Sequence, residues 1–528
     1  MAENVTVNIR DIASRLPDNW LIGCDSRELF QIVDRLFPEF TKNPAATPQK
    51  ILLAEREPVQ FLASFIAACA AKCPIFLCNP NWVKQEWQQV FDLVQPDIII
   101  GQDALQNLTE MGLMASPIGL THGWSETEFL SENTALQPFN RAKNLVSLVL
   151  MRKFCHIEKP KNNPKLPLTN YQLPLIMIPT GGSSGKTRFT IHTWETLTAS
   201  VKGFQEYFQV SQINSFCVLP LYHVSGLMQF MRSFTTGGKL AIQTFKTLKN
   251  GEKCDIEPEE FFISLVPTQL QRLLQNPDTA NWLSGFHTVL LGGAPAWPEL
   301  LETARNYQIR LALTYGMTET ASQIAALKPE DFLAGDSSSG QVLPHAQVTI
   351  RGANGEILCN NQMGDIVVNA KSLSLGYYPE KWVDREYFQL DDLGFFDKNN
   401  CLNIIGRSSD KIITGGENVF PIEIEAAIRS TNLVTDICII GLPDRHWGQV
   451  VTAIYVPAHS QVTVKDLQAA IADKLSKFKR PKNWVIVQQL PRNYQGKVNR
   501  EHLQEIALQY IGAEIEDTAV PCPYGDPF

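Results

Sequence analysis

Apolar and polar residues come in blocks along this chain, and the blocks read alternately as helix and strand. The strongest is Val59 to Ala71, apolar on nearly every face, which predicts a helix packed inside the protein. Pro58 stands just before it, where a missing N–H does no harm. The run Phe61 to Ala71 is too short to cross a bilayer. Pro96 to Gly101 reads as a strand, and Lys153 to Gln172, rich in Pro, Asn and Lys, as an exposed connection. Leu175 to Ile178 reads as a buried strand. Strand-like runs at Phe216 to Leu219, Leu240 to Thr244, Phe262 to Val266, Thr288 to Leu291 and Arg310 to Thr314 then alternate with helical segments. That alternation predicts a mostly parallel sheet covered by helices, an α/β fold. Residues 340 to 405 carry shorter strands and turns, the mark of a small β subdomain. Beyond Ser408-Ser409-Asp410 the pattern changes again: a helix from Pro421, strands near Ile437 to Ile440 and Val451 to Val456, and a helix from Val464. This places a domain boundary after residue 408, with a large domain over 1–408 and a small α+β domain over 409–528.

The length of 528 residues requires at least two domains. A hydrophobic content of 44% and a charged content of 19% are ordinary for a globular enzyme. The net charge of −8 gives no basic field for nucleic acid or an anionic membrane. The eleven cysteines form no C-x-x-C pair, so the plain reading is free thiols in a reducing compartment. The first ten residues are charged and carry no apolar signal core, which makes the cytoplasm the default location. Monomer and homo-oligomer both remain open.

The most informative stretch follows the strand at Leu175: Thr180, Gly181, Gly182, Ser183, Ser184, Gly185 and Lys186. Its glycines free the backbone to curl, and its hydroxyls and amides can face an anion. It reads either as a phosphate-holding loop or as a flexible Gly/Ser surface loop. It is not a standard P-loop, because threonine at 180 stands where that motif needs its first glycine.

Four further segments lie downstream: Tyr315-Gly316-Met317-Thr318-Glu319-Thr320; Leu390-Asp391-Asp392-Leu393-Gly394; Gly406-Arg407 through Pro421; and Pro491-Arg492 through Gly496-Lys497 to Arg500. With the first, and in this order, they resemble the adenylate-forming superfamily of acyl-CoA synthetases over residues from about 50 to 505. The resemblance implies an acid–thiol ligase that uses ATP, CoA and Mg²⁺ through an acyl-AMP. It implies that Thr180 to Lys186 and Gly292-Gly293-Ala294 surround the nucleotide. Tyr315 would pack on adenine, Thr318 contact the α-phosphate, Glu319 hold the metal, and Asp392 with Arg407 take the ribose. Lys497 would bridge the carboxylate and the α-phosphate during adenylation. Ser409 would be the hinge on which the small domain turns, and Gly415 with Gly416 would line the channel for the CoA arm. The chain departs from the superfamily pattern in three places. Thr187-Arg188-Phe189 replaces Pro-Lys-Gly, Leu390-Asp391 replaces Thr-Gly, and serine replaces the usual Asp or Lys at the hinge.

The acid is read from Leu219 to Gly226 and Arg232. His223 and Ser225 lie two apart, and Arg232 follows on a helix beginning near Gly226 that could carry it into the same cavity. An arginine can hold a second carboxylate, for which a fatty-acid pocket has no use. With Gly316, these residues form the expected acid site, and His223 also stands among the catalytic candidates. The segment is similar to the o-succinylbenzoate–CoA ligases of menaquinone and phylloquinone synthesis. The alternatives are a ligase for another aromatic or medium-chain acid, and a nucleotide-binding sensor or scaffold without activity.

Overall fold

The computed structural model describes residues 19–41, 48–101, 150–151, 174–181, 187–382, 386–492 and 498–517. The expected connection Lys153 to Gln172, the loop residues Gly182, Ser183, Ser184, Gly185 and Lys186, and Lys497 lie outside the described residues.

Two eight-stranded sheets form the bulk of the chain. In the first, strands Leu21–Ile22, Leu240–Ile242, Asn214–Cys217, Phe261–Leu265, Thr288–Leu291 and Leu311–Met317 run parallel in that order. All five runs expected between 216 and 314 are here. Their short apolar blocks suit strands buried on both faces. Two antiparallel strands, Ser322–Ala326 and Gln341–Val342, complete the sheet. The second sheet is mixed. Strands Leu175–Gly181, Ile75–Leu77, Ile51–Leu53 and Ile98–Ile100 are parallel at its centre, and antiparallel strands flank them on both sides.

The apolar helix Pro58–Ala70 lies between these sheets, with Pro58 in its first turn. One core cluster joins its Phe61, Phe65 and Ile66 to Ile51 and Ile75 of one sheet and to Leu240 and Leu290 of the other. Helices Trp194–Phe208 and Val224–Thr236 contribute Leu197, Phe204, Leu227 and Phe230 to the same cluster. A helix enclosed on both sides has no solvated face, which accounts for its having only Gln60 and Ser64 as polar residues, both buried.

The expected small β unit is a four-stranded antiparallel sheet of Ala346–Arg351, Gly364–Ala370, Phe388–Phe396 and Leu402–Arg407. Its last strand ends at Arg407, and the next strand, Ile412–Thr414, belongs to a separate five-stranded sheet. Two further core clusters are built only from residues at or beyond Ile412. The helix Pro421–Arg429 and the long hairpin Val434–Asp444 with Gly448–Pro457 stand where the pattern placed them. Among the described residues, no helix is long and apolar enough to cross a membrane.

Candidate active site

The segment Thr180 to Lys186 links two strands that pair with each other. Strand Leu175–Gly181 pairs antiparallel with Thr187–Thr193, in register Thr180↔Arg188 and Gly181↔Thr187. Thr180 and Gly181 therefore belong to the strand end, and residues 182–186 join the two strands. A P-loop would feed a helix at this point. Here it feeds a second strand, which carries forward the mismatch already visible at Thr180.

Thr180 faces Glu319. Its hydroxyl lies 3.4 Å from Glu319 Oε1, which also accepts a 2.8 Å hydrogen bond from the Tyr377 hydroxyl. Glu319 is buried in a short 3-10 turn, Thr318–Thr320, directly after the strand Leu311–Met317. The neighbouring Thr318 carbonyl is held by the fully buried His192, whose Nε2 lies 2.8 Å away and whose Nδ1 meets Thr196 Oγ1 at 3.0 Å. Thus the hairpin, the 3-10 turn and the short strand Gly376–Tyr377 meet at one carboxylate. Burial, and then the Glu319 charge, push the Tyr377 hydroxyl well above the usual tyrosine range, so it stays a donor. Neither Tyr377 nor His192 is among the residues picked out by motif. Tyr377 stands in Gly376-Tyr377-Tyr378-Pro379 and reaches the site through its pairing with Thr190 on the strand Thr187–Thr193.

A second cluster forms at Tyr315, two residues before the end of the strand Leu311–Met317. The Tyr315 hydroxyl donates to Asp392 Oδ2 at 2.6 Å, and Arg407 Nε stands 3.6 Å from Asp392 Oδ1. Asp392 and Arg407 are direct partners across strands Phe388–Phe396 and Leu402–Arg407. Burial and then Asp392 raise the Tyr315 hydroxyl far above its ordinary range. Three residues expected at the nucleotide from separate motifs thus touch one another. Gly292, Gly293 and Ala294 follow the strand Thr288–Leu291, and the Gly292 amide donates to Leu265 O at 3.2 Å.

Arg232 sits in the helix Val224–Thr236 at 3% exposure. Its Nη2 donates to Gln323 Oε1 at 2.7 Å and to Ser322 Oγ at 3.1 Å, and its guanidinium lies 4.4 Å from the centre of the Phe204 ring. Its Nε is buried without a hydrogen-bond partner, and no carboxylate among the described residues pairs with it. Burial alone lowers it to about 9, so it is charged at neutral pH. Ala321 and Ser322 hold φ of +52° and +89°, a strained turn that aims the Ser322 hydroxyl at the guanidinium. Gln323 is the register partner of Gly316, and a Cβ at Gly316 would come within 2.2 Å of Ser322 O. Gly316 is therefore required by the close approach of the two strands.

His223 caps the N-terminus of the Arg232 helix, buried and edge-on to Tyr222. Nine residues of helix separate it from Arg232, an axial distance of about 13 Å. The helix thus sets the two at separate positions, not side by side. Ser225 is exposed in the first turn, where its carbonyl accepts from Gln229 Nε2 at 2.9 Å. Gly415 and Gly416 form the two-residue turn between Ile412–Thr414 and Glu417–Val419, with φ of +59° and +86°. Positive φ at both centres is what that turn type demands. Ser409 lies between the four- and five-stranded sheets, where its N–H and hydroxyl both donate to the Asp391 carboxylate.

Residues 42–378 match the AMP-binding enzyme family, and residues 423–497 match the AMP-binding enzyme C-terminal domain. The chain belongs to the AMP-binding enzyme family. Among curated members, it is 31% identical to a 2-succinylbenzoate–CoA ligase of Enterococcus faecalis, over 60% of this chain and 67% of that one. It is 33% identical to the same enzyme from a Geobacillus species, over 62% and 68%. Among solved structures, o-succinylbenzoate CoA synthetase of Bacillus subtilis, in complex with its acyl-adenylate intermediate, superposes with a TM-score of 0.72 at 21% identity. That match spans 94% of this chain and 97% of the other. ATP-bound MatB of Rhodopseudomonas palustris reaches 0.70 at 20% identity, over 92% and 95%. These likenesses establish a shared fold, and within it this AMP-binding enzyme keeps the Tyr315–Asp392–Arg407 and Thr180–Glu319–Tyr377 groups together.

Proposed function

We propose that this chain joins 2-succinylbenzoate to CoA at the expense of ATP, by way of an acyl-AMP. The observation that carries the dicarboxylate reading is Arg232: a buried guanidinium with a spare donor and no acidic partner among the described residues. Burying an uncompensated charge is costly, and a substrate carboxylate would relieve it. The identities to 2-succinylbenzoate–CoA ligases support the same acid.

In the first step the succinyl carboxylate attacks the α-phosphorus of ATP and pyrophosphate leaves. Asp392 and Arg407 orient the ribose, Tyr315 backs the base, and the hairpin amides receive the phosphates. Lys497 supplies a point charge where the pentavalent centre gains negative charge. Glu319 offers one buried carboxylate with Oε1 already engaged, and no cluster of three metal-ligating side chains occurs among the described residues. Such a donor set fits Mg²⁺ held mainly by substrate phosphates, whose charge it would neutralise. In the second step the CoA thiolate attacks the acyl-AMP carbonyl and AMP leaves, after the domain beyond Ser409 has turned and withdrawn Lys497. Gly415 and Gly416 then border the path of the CoA arm. We place the reaction in the cytoplasm, in keeping with free cysteines throughout the described residues.

The test is pyrophosphate release from Mg-ATP with o-succinylbenzoate, benzoate, 4-coumarate and octanoate, with and without CoA. Strong preference for o-succinylbenzoate, with AMP and a CoA thioester as products, is expected. Preference for a monocarboxylate would discard the dicarboxylate site, and silence with every acid would favour a sensor or scaffold.

A further inference from the structure

Four residues, 408–411, connect the four-stranded sheet to the five-stranded one. Opposite sides hold them. Ser408 N donates to Asp391 O at 2.6 Å, Ser409 N donates to Asp391 Oδ1 at 3.1 Å, and the Ser409 hydroxyl donates to Asp391 Oδ2. Asp391 stands on the strand Phe388–Phe396, so the first two residues of the connection are fastened to the sheet that precedes it. The next residue is fastened to the small domain. Asp410 Oδ2 lies 3.4 Å from Arg500 Nε, and Arg500 also donates to Ile439 O at 2.6 Å and stands 3.6 Å from Glu425 Oε1.

We infer that Asp391 is a positioning residue for the domain rotation, a clasp on Ser409 that, opposite the Arg500–Asp410 pair, confines the pivot to the junction of residues 409 and 410. The inference rests on the two-step ligase reading and deepens it. It joins two departures from the superfamily pattern: aspartate at 391 where glycine is usual, and serine at 409 where Asp or Lys is usual. An aspartate at 409 would face the Asp391 carboxylate and repel it. A serine there donates to it. Strand alternation turns Asp391 away from Asp392, so one side chain faces the connection while its neighbour faces Tyr315.

The clasp keeps Ser409 on the four-stranded sheet while the small domain turns, so removing it lets the turn spread into residues 408 and 409 and shifts the balance of the two orientations by about three- to tenfold, the worth of one such bond. The test uses the full-length chain. Wild type must first show both half-reactions: acid-dependent pyrophosphate release, and thioester formation from supplied acyl-AMP. Failure there would count against the ligase reading and not against the clasp. Asp391→Ala, Ser409→Ala and the double variant are then compared by the ratio of the two half-reaction rates, by AMP affinity, and by hydrogen exchange at the Ser409 amide. We expect faster exchange in Asp391→Ala and a ratio changed by about three- to tenfold. Ser409→Ala should move the ratio in the same direction, and the double variant should go no further than Asp391→Ala. AMP affinity should be unchanged. Asp391→Asn, which keeps an acceptor, should recover most of the wild-type ratio and guards against simple misfolding. An unchanged ratio despite faster exchange, or additive single effects, would overturn the proposal.

Discussion

The Tyr315 hydroxyl reaches across from the parallel sheet to Asp392 of the small antiparallel sheet, 77 residues later, and closes on its carboxylate at 2.6 Å. This bond and the Arg407 contact fix Asp392 before any nucleotide arrives. Tyr315→Phe should weaken AMP binding by about 1–2 kcal/mol, and Asp392→Ala by more, since it removes the acceptor proposed for both ribose hydroxyls. Titration calorimetry with AMP checks both.

Arg232→Ala should raise KM for o-succinylbenzoate by two or more orders of magnitude, on the order of what a site loses when a bidentate charged partner is removed. Adenylation of a monocarboxylate should change little. Equal loss with both acids would mean that Arg232 holds the protein together instead of the substrate. Arg232→Lys should rescue only in part, because an ammonium cannot reach Gln323, Ser322 and a carboxylate in one plane.

His345 lies beside this arginine, with both ring nitrogens buried and without hydrogen-bond partners in the structure. Its ring fills the space at Gly203, where a Cβ would meet Nδ1 at 1.9 Å. Burial, and then the Arg232 charge, lower it to about 4. An unfolded histidine takes its proton near pH 6.5. As pH falls from 6.5 to 4 the unfolded chain therefore binds the proton first, and stability is lost through that window. His345→Leu should flatten the loss by on the order of 1–2 kcal/mol, allowing for the partial exposure of the ring. Thermal midpoints measured from pH 7 to pH 4.5 give the comparison.

If Glu319 holds the metal as proposed, Tyr377→Phe should release its Oε1 and slow adenylation about tenfold, the usual cost of losing a group that orients a metal ligand. The half-saturating Mg²⁺ concentration should rise, with KM for the acid unchanged. A fall in rate at constant Mg²⁺ dependence would assign Tyr377 to packing alone.

Gly316→Ala should lower the thermal midpoint by several degrees, because the added carbon meets the backbone of Ser322 and Gln323 and not a movable side chain.

Five of the six parallel strands were legible as short, largely apolar runs between helical segments, and Thr288–Leu291 coincides with its run to the residue, whereas the two-residue Leu21–Ile22 was too short to read. The helix Pro58–Ala70 was legible for the same reason, since only an enclosed helix can be apolar all round. The nucleotide cluster was legible as separate motifs, but the contact between Tyr315 and Asp392 was not, because it joins two sheets. Tyr377 escaped notice because a tyrosine in a turn-rich segment carries no chemical signal until the fold sets it beside Glu319. Asp391 looked like a departure from a pattern, and its meaning lies in Ser409, 18 residues away. The helix carrying Arg232 was expected from near Gly226 and begins at Val224, and its pitch, which sets His223 and Arg232 apart, comes from geometry and not composition.

The strand pair that breaks off at Gly181 and resumes at Thr187 also decides how the charge of a nucleotide is met. A nucleotide loop that opens a helix borrows the partial positive charge of that helix's first amides. A segment between two strands lacks that helix-end charge, because neighbouring strand dipoles cancel, and offers only its own amides. The countercharge for a triphosphate must then arrive with the nucleotide's own cation or on lysine side chains, so free ATP should be a poor ligand compared with its magnesium complex, while AMP, with far less charge to neutralise, should bind well without any metal.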